Sequence, residues 1–240
     1  YPFMTPQLTD KYMVTIAERL TSAYARIASA AKNAKRSSDA ITLLAVSKTK
    51  PSDDIIAAYE HGQRQFGESY VQEAVDKIAQ LHTFSDIIWH FIGPIQSNKS
   101  ALVAAHFDWV QSVDRIKIAK RLNSQRPENL APLNVLIQVN ISAEEAKSGC
   151  SVEQIPELAE FIDQCEQLTL RGLMAIPAKS DDPSEQSQSF EQLQTCFDKL
   201  KAQYPHIDTL SMGMSNDVEA AVSAGSTMVR IGTDIFGTRT

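Results

Sequence analysis

Three cysteines are all that this 240-residue chain contains: Cys150, Cys165 and Cys196. They are odd in number, widely spaced and form no CxxC pair. That argues against a disulfide framework or a thiolate zinc site and fits a reducing cytoplasm. Long apolar runs are missing as well. None approaches the roughly 20 residues that span a bilayer, and no charged segment followed by an apolar one suggests a signal peptide. Tyr1 to Phe3 precede the first Met, and residues 1–10 read as flexible or partly foreign to the natural chain. The five histidines show no HExxH-like spacing, so no metal site is expected. GxGxxG, Walker A and GxSxG motifs are absent. Positive charge is scarce: 23 Lys and Arg against 29 Asp and Glu leave a net charge of -6. That balance suits neither nucleic acid nor an anionic membrane. Hydrophobic residues at 43% and charged residues at 22% are ordinary for a globular protein, which excludes disordered and fibrous classes.

What is present is a regular alternation of two patterns. Short apolar runs bounded by turn residues predict strands at 41–46, 64–67, 87–92, 107–113, 134–139, 170–176, 209–212 and 228–231. Between them, apolar residues recur at helical spacing, as in Ile55, Ile56 and Tyr59, or Phe190, Leu193, Phe197 and Leu200. An additional helix precedes the first strand, with Met13, Ile16, Leu20, Tyr24 and Ile27 on one face and Thr9 or Asp10 as its N-cap. The polar stretch 178–189 reads as a mobile loop. No linker or short repeat divides the chain, so residues 1–240 are expected to form one domain.

Eight strands separated by helices must run parallel, with crossovers. The expected fold is a single α/β domain, a (β/α)8 TIM barrel with an extra N-terminal helix. That helix would cover the gap left where almost no chain follows the last strand. An open doubly wound sheet is the alternative, but it usually announces a glycine-rich first turn.

In such a barrel, function sits at the C-terminal strand ends. Lys48 closes the first strand on the side of Leu44 and Val46. A lysine partly desolvated there is a nucleophile toward carbonyls, although a solvated strand-end charge is the plainer reading. Strands seven and eight end in the usual phosphate position. Ser215 there is a candidate helix cap, Gly232 permits close backbone approach, and Thr233 adds a hydroxyl; ordinary capping and turns would use the same residues. Arg230, inside an apolar strand, needs a partner, either Glu68 or Asp234 or a ligand atom. His90 reads as a core or pocket-wall histidine.

A strand-one lysine, a phosphate cradle and a strand-eight arginine together suggest pyridoxal 5′-phosphate (PLP). The motifs Ala45-Val-Ser-Lys-Thr-Lys-Pro51, Phe66-Gly-Glu68 and Tyr70-Val-Gln-Glu73 carry a specific resemblance. So do Trp89-His-Phe-Ile-Gly-Pro-Ile-Gln-Ser-Asn-Lys99, Lys147-Ser-Gly149, Arg171-Gly-Leu-Met174, Leu210-Ser-Met-Gly-Met-Ser215 and Gly225-Ser-Thr-Met-Val-Arg-Ile-Gly-Thr233 with Ile235-Phe-Gly237. The chain resembles the pyridoxal phosphate homeostasis protein family, of the YggS/PROSC type. The resemblance implies a fold type III barrel like the alanine racemase N-terminal domain. It implies an internal aldimine between PLP and Lys48, with Ser215, Gly232 and Thr233 at the phosphate. It also implies that Arg230 faces the pyridine nitrogen and disfavours its protonation, which weakens the ring as an electron sink. One position departs from the family: Ser69 stands where an Asn is usual.

The family resemblance implies a PLP carrier without dedicated turnover, one that supplies PLP-dependent apo-enzymes and has no catalytic residues. A barrel needs no partner to complete its core, so a monomer is expected, in the cytoplasm that the cysteines suggest. Racemisation needs an acid and a base on opposite faces, and alanine racemase takes the second from another domain, which this chain is not expected to supply. The alternatives are an amino-acid racemase using His90 or Tyr70 as second proton carrier, and a PLP-free aldolase with Lys48 as its Schiff-base lysine.

Overall fold

A computed structural model describes residues 14–142, 144–145 and 148–238. Eight strands are formed: β1 (Thr42–Val46), β2 (Gln65–Glu68), β3 (Ile88–Phe91), β4 (Trp109–Val113), β5 (Leu133–Gln138), β6 (Leu168–Met174), β7 (Thr209–Met214) and β8 (Met228–Ile231). Each pairs in parallel with the next, and β8 closes onto β1, where Leu44 lies opposite Arg230. The closed barrel displaces the open-sheet alternative. The helices are α1 (Ile16–Asn33), α2 (Ser52–Glu60), α3 (Val71–Gln80), α4 (Ser100–His106), α5 (Ile116–Gln125), α6 (Ile155–Asp163), α7 (Pro183–Gln203), α8 (Val218–Ser223) and α9 (Thr233–Phe236).

The strands divide their side chains between two environments. Leu43 and Ala45 of β1 join the large layer between barrel and helices, with Phe66, Val110, Val135, Leu173 and Val229. A separate interior cluster of Trp109, Leu136 and Met174 fills part of the barrel lumen. The outer layer is therefore one continuous apolar shell, while the lumen mixes apolar and polar side chains.

Helix α1 sits where an eighth crossover helix would lie. It packs on α2, α8 and α9 and buries Leu20, Ala23, Ile27, Ala30 and Ala31. Helix α9 has only four residues and cannot cover the barrel wall itself. The predicted gap-covering role of the N-terminal helix is thus met. Its cap is not Thr9 or Asp10, which lie outside the described residues, as do all of residues 1–10. Thr15 caps it instead, in a capping box with Glu18.

The mobile-loop reading of 178–189 is too long. Helix α7 already starts at Pro183, with Asp182 accepting from Ser184 N at 2.9 Å. Proline at N1 behind an aspartate cap is a start signal strong enough to outweigh the polar composition. The strand expected at 170–176 likewise sits two residues late, because β6 runs over Leu168–Met174.

Candidate functional site

At the C-terminal mouth of the barrel, Lys48, Ser215, Arg230, Gly232 and Thr233 line one cavity of about 710 Å³. All five residues singled out by sequence are therefore brought together, from β8 and the segments after β1, β7 and β8. A second lobe of about 580 Å³ shares Lys48, Ser69, Ile92 and Ile176 with the first and adds Tyr70, Gln96 and Lys99. Ser69, the departure from the family pattern, thus stands at the waist between the lobes.

Lys48 occupies the turn that follows β1. Lys50 N donates to Ser47 O at 3.0 Å, and Thr49 sits at φ +68°. A β-branched residue in that region costs on the order of 1–3 kcal/mol and persists only when its surroundings impose it. The surroundings are ionic. Ser47 Oγ donates to Glu68 Oε2 at 2.7 Å, and Thr49 N donates to Glu73 Oε1 at 2.6 Å. Lys77 Nζ reaches Ser47 O, Glu68 and Glu73 at 2.9, 2.8 and 2.8 Å. Burial raises the Glu68 carboxyl above its ordinary range, against the pull of Lys77.

The part of the cavity where the sequence suggested a phosphate position is built from the turn before α8 and the start of α9. Gly213 makes the approach possible: at φ +103° a Cβ there would lie 2.6 Å from Ala221 Cβ. Ser215 does not cap the helix, because Asp217 holds that position. The Asp217 carboxylate accepts from Met214 N at 2.6 Å, which closes the turn one step earlier than expected. Helix α1 fixes the cradle from outside. Arg26 donates to Ser215 O and binds Glu219 at 2.7 Å. Arg19 donates to Thr233 O at 3.4 Å. A trans peptide points its N–H opposite to its carbonyl. Drawing the Ser215 carbonyl toward α1 therefore turns the Asn216 N–H away from it, toward the side where Asn216 lines the cavity. Gly232 has no left-handed φ. A Cβ there would meet Val46 only at an ordinary 3.4 Å, so neither backbone nor packing demands glycine.

Arg230 pairs with neither Glu68 nor Asp234. Glu68 is taken by Lys77, and Asp234 lies 3.7 Å from Arg26. Arg230 instead donates to Ser211 Oγ at 2.6 Å and to Ala175 O at 2.9 Å. Burial lowers its pKa to about 10, opposed by Asp217, which still leaves a cation at neutral pH. Two contacts leave other guanidinium donors for the cavity.

Behind Arg230 a polar chain crosses the barrel lumen. Ser211 Oγ meets Gln111 Oε1 at 2.7 Å, Gln111 Nε2 meets His90 Nδ1 at 3.0 Å, and His90 Nε2 meets Gln65 Oε1 at 2.8 Å. Its direction follows from one end. Arginine only donates, so Ser211 accepts from it and gives its own proton to Gln111 Oε1. The Gln111 amide nitrogen then faces Nδ1, which accepts, and the His90 proton sits on Nε2 and goes to Gln65. His90 also stacks on Trp109 with centroids 5.0 Å apart. Burial, assisted by Arg171, lowers its pKa to about 3. It is a neutral, hydrogen-bonded core residue, the first of the two readings the sequence offered.

Sequence reasoning assigned no role to Asn216, Lys179 and Thr238 in the cavity lining, or to Arg26, Ser211 and Gln111 behind it, although Asn216, Ser211 and Gln111 stand at or beside strand ends. The six share no common motif, although Ser211 falls within Leu210-Ser-Met-Gly-Met-Ser215. Arg26 is one of three cations on an amphipathic helix, with Arg19 and Lys32, and nothing local sets it apart. Lys147 of the matched motifs lies outside the described residues. Among the described residues, the three cysteines are unpaired, no His/Cys/Asp/Glu group is arranged to hold a metal, and no helix is long and apolar enough to cross a membrane.

Comparison with known proteins gives the family and the fold. The family described as alanine racemase, N-terminal domain, matches residues 23–240. The pyridoxal phosphate homeostasis protein of Escherichia coli (strain K12) is 56% identical over 229 residues, 95% of this chain and 98% of that one. The structure of PipY from Synechococcus elongatus with PLP bound has a TM-score of 0.81 at 35% identity, covering 93% of this chain and 100% of that one. Alanine racemase from Corynebacterium glutamicum shares the fold alone, with a TM-score of 0.65 and 15% identity over 93% of this chain and 61% of that one. The chain belongs to the pyridoxal phosphate homeostasis proteins within the alanine racemase N-terminal domain family.

Proposed function

We propose that this protein binds PLP covalently through Lys48 and holds it for delivery without turning over a substrate of its own. The observation that carries this reading is the single cavity shared by Lys48, Ser215, Arg230, Gly232 and Thr233. The cofactor is an aldehyde, a pyridine and a phosphate on one flat frame, and these residues offer a partner to each. Lys48 supplies the amine for the aldehyde. Ser215, Thr233 and the backbone N–H groups beside Gly232 receive the phosphate dianion. Arg230 directs a donor at the pyridine nitrogen and, as a cation, keeps that nitrogen unprotonated. When bound, PLP supplies an electrophilic carbon that condenses with primary amines.

The remaining residues support storage better than turnover. Interconverting enantiomers needs a second proton carrier facing Lys48. His90 is unsuited, since both ring nitrogens are engaged and burial keeps it neutral. Tyr70 is 53% exposed at the rim of the neighbouring lobe, where bulk water competes for its proton. The physiological role we infer is a cytoplasmic monomer that keeps free PLP low and yields it to apo-enzymes. Three unpaired cysteines support a reducing compartment. Incubation of the PLP-loaded protein with L- and D-amino acids in deuterated water tests the assignment. The expected result is no α-deuterium incorporation at enzyme-like rates, together with reactivation of an added PLP-dependent apo-enzyme. Rapid exchange that is lost in Tyr70→Phe would make the protein a racemase instead.

A further inference from the structure

Both peptide neighbours of Lys48 are held by the same ionic cluster, and that cluster belongs to the next strand and helix. The Ser47 side chain is bound by Glu68 of β2 at 2.7 Å, and its carbonyl by Lys77 of α3 at 2.9 Å. The Thr49 N–H is bound by Glu73 of α3 at 2.6 Å. Lys77 ties the two grips together, bonding Glu68 and Glu73 at 2.8 Å each. Its side chain is 7% exposed and that of Glu68 1%, so water does not compete for the inner contacts. Glu73 and Lys77 are one helical turn apart, which aims both at the same short segment. A loop that only had to connect β1 to α2 would need none of this. The restraint falls on the two residues flanking the amine, and it imposes a left-handed backbone on Thr49.

We infer that Glu73 and Lys77 are positioning residues for the Lys48 amine, and that they set how well it meets the aldehyde carbon while leaving phosphate capture untouched. The inference rests on Lys48 being the PLP lysine. The two ends of the cofactor are then controlled separately: the aldehyde end by α3, the phosphate end by the α8 and α9 turns and by α1.

The test compares two ligands on one variant. Pyridoxine 5′-phosphate has the ring and phosphate of PLP but an alcohol in place of the aldehyde, so it reports the cradle alone. In Glu73→Ala, affinity for PLP should fall about tenfold, the equivalent of one charge-assisted hydrogen bond, while affinity for pyridoxine 5′-phosphate stays at the wild-type value. Glu73→Gln keeps an acceptor for the Thr49 N–H and should recover most of the loss. Lys77 keeps Glu68 and Ser47 O in both variants, so the cluster core survives. In a Lys48→Ala background, Glu73→Ala should change nothing further. Equal loss of both ligands, or loss of neither, would overturn the inference while leaving the function standing. A wild-type protein that binds the two ligands equally would overturn the role of Lys48 and this inference with it.

Discussion

The neutral state of His90 makes a quantitative prediction about acid. The ring is completely buried, gives its Nε2 proton to Gln65 and accepts at Nδ1 from Gln111. Charging it would put a second N–H against the Gln111 amide N–H. Relief requires the amide to flip, and a flipped Gln111 no longer accepts from Ser211. Burial holds the folded pKa at about 3, below the ordinary 6.5. A depressed histidine contributes stability that is fully present above its unfolded pKa and lost as pH falls toward the folded one. Each pH unit inside that window costs a little over 1 kcal/mol. About 2 kcal/mol is therefore lost between roughly pH 7 and pH 5, and roughly 5 kcal/mol across the whole window. Glu68, Asp108 and Asp217 are raised carboxyls and slope the other way. A difference measurement cancels them. Urea unfolding of wild type and His90→Gln at several pH values should show the wild-type advantage shrinking by about 2 kcal/mol over that range. A difference independent of pH would refute the neutral assignment and the proton order of the lumen chain.

Three further outcomes follow from named contacts. Arg26→Met frees the Ser215 carbonyl and should weaken PLP and pyridoxine 5′-phosphate alike, about three- to tenfold by equilibrium titration; a loss confined to PLP would contradict a phosphate-end role. Lys77→Met strands Glu68 in the interior and should cost about 3–5 kcal/mol in denaturant unfolding, with Glu68→Gln in the same chain restoring most of it; an unrestored double variant would mean that packing, not charge, carries the effect. Leu20→Ala opens a cavity beneath α1, where the leucine is 0% exposed, and should cost about 2–5 kcal/mol; a smaller loss would show that α1 docks loosely.

What the sequence disclosed, and what it hid, depended on distance along the chain. The strand at 228–231 and the lysine after β1 were legible because short apolar runs and their terminal residues are local signals. The closed eightfold order followed from counting those runs. The lumen chain was illegible because Ser211 and Gln111 are 100 residues apart and each looks like an ordinary polar residue in a strand. The partner of Arg230 was misassigned for the same reason: a carboxylate was sought, and a serine hydroxyl with a backbone carbonyl satisfies it. Glu68 was weighed as a partner for Arg230, but its true partner, Lys77, lies in the second turn of α3. Ser215 looked like a helix cap because serine often is one, whereas the N-cap position falls to Asp217, two residues on, whose carboxylate binds Met214 N ahead of the helix rather than a helix N–H. The start of α7 was encoded in Asp182-Pro183 and was obscured only by the polar residues after it.

The central claim is that Lys48 holds PLP covalently in the cavity at the barrel mouth. The most direct measurement is the visible absorption spectrum of wild type and Lys48→Ala with added PLP, before and after borohydride. A yellow band in wild type, bleached by borohydride with the label on the Lys48 peptide and missing in the variant, is the predicted result. The same band in Lys48→Ala, or none in wild type, would contradict it.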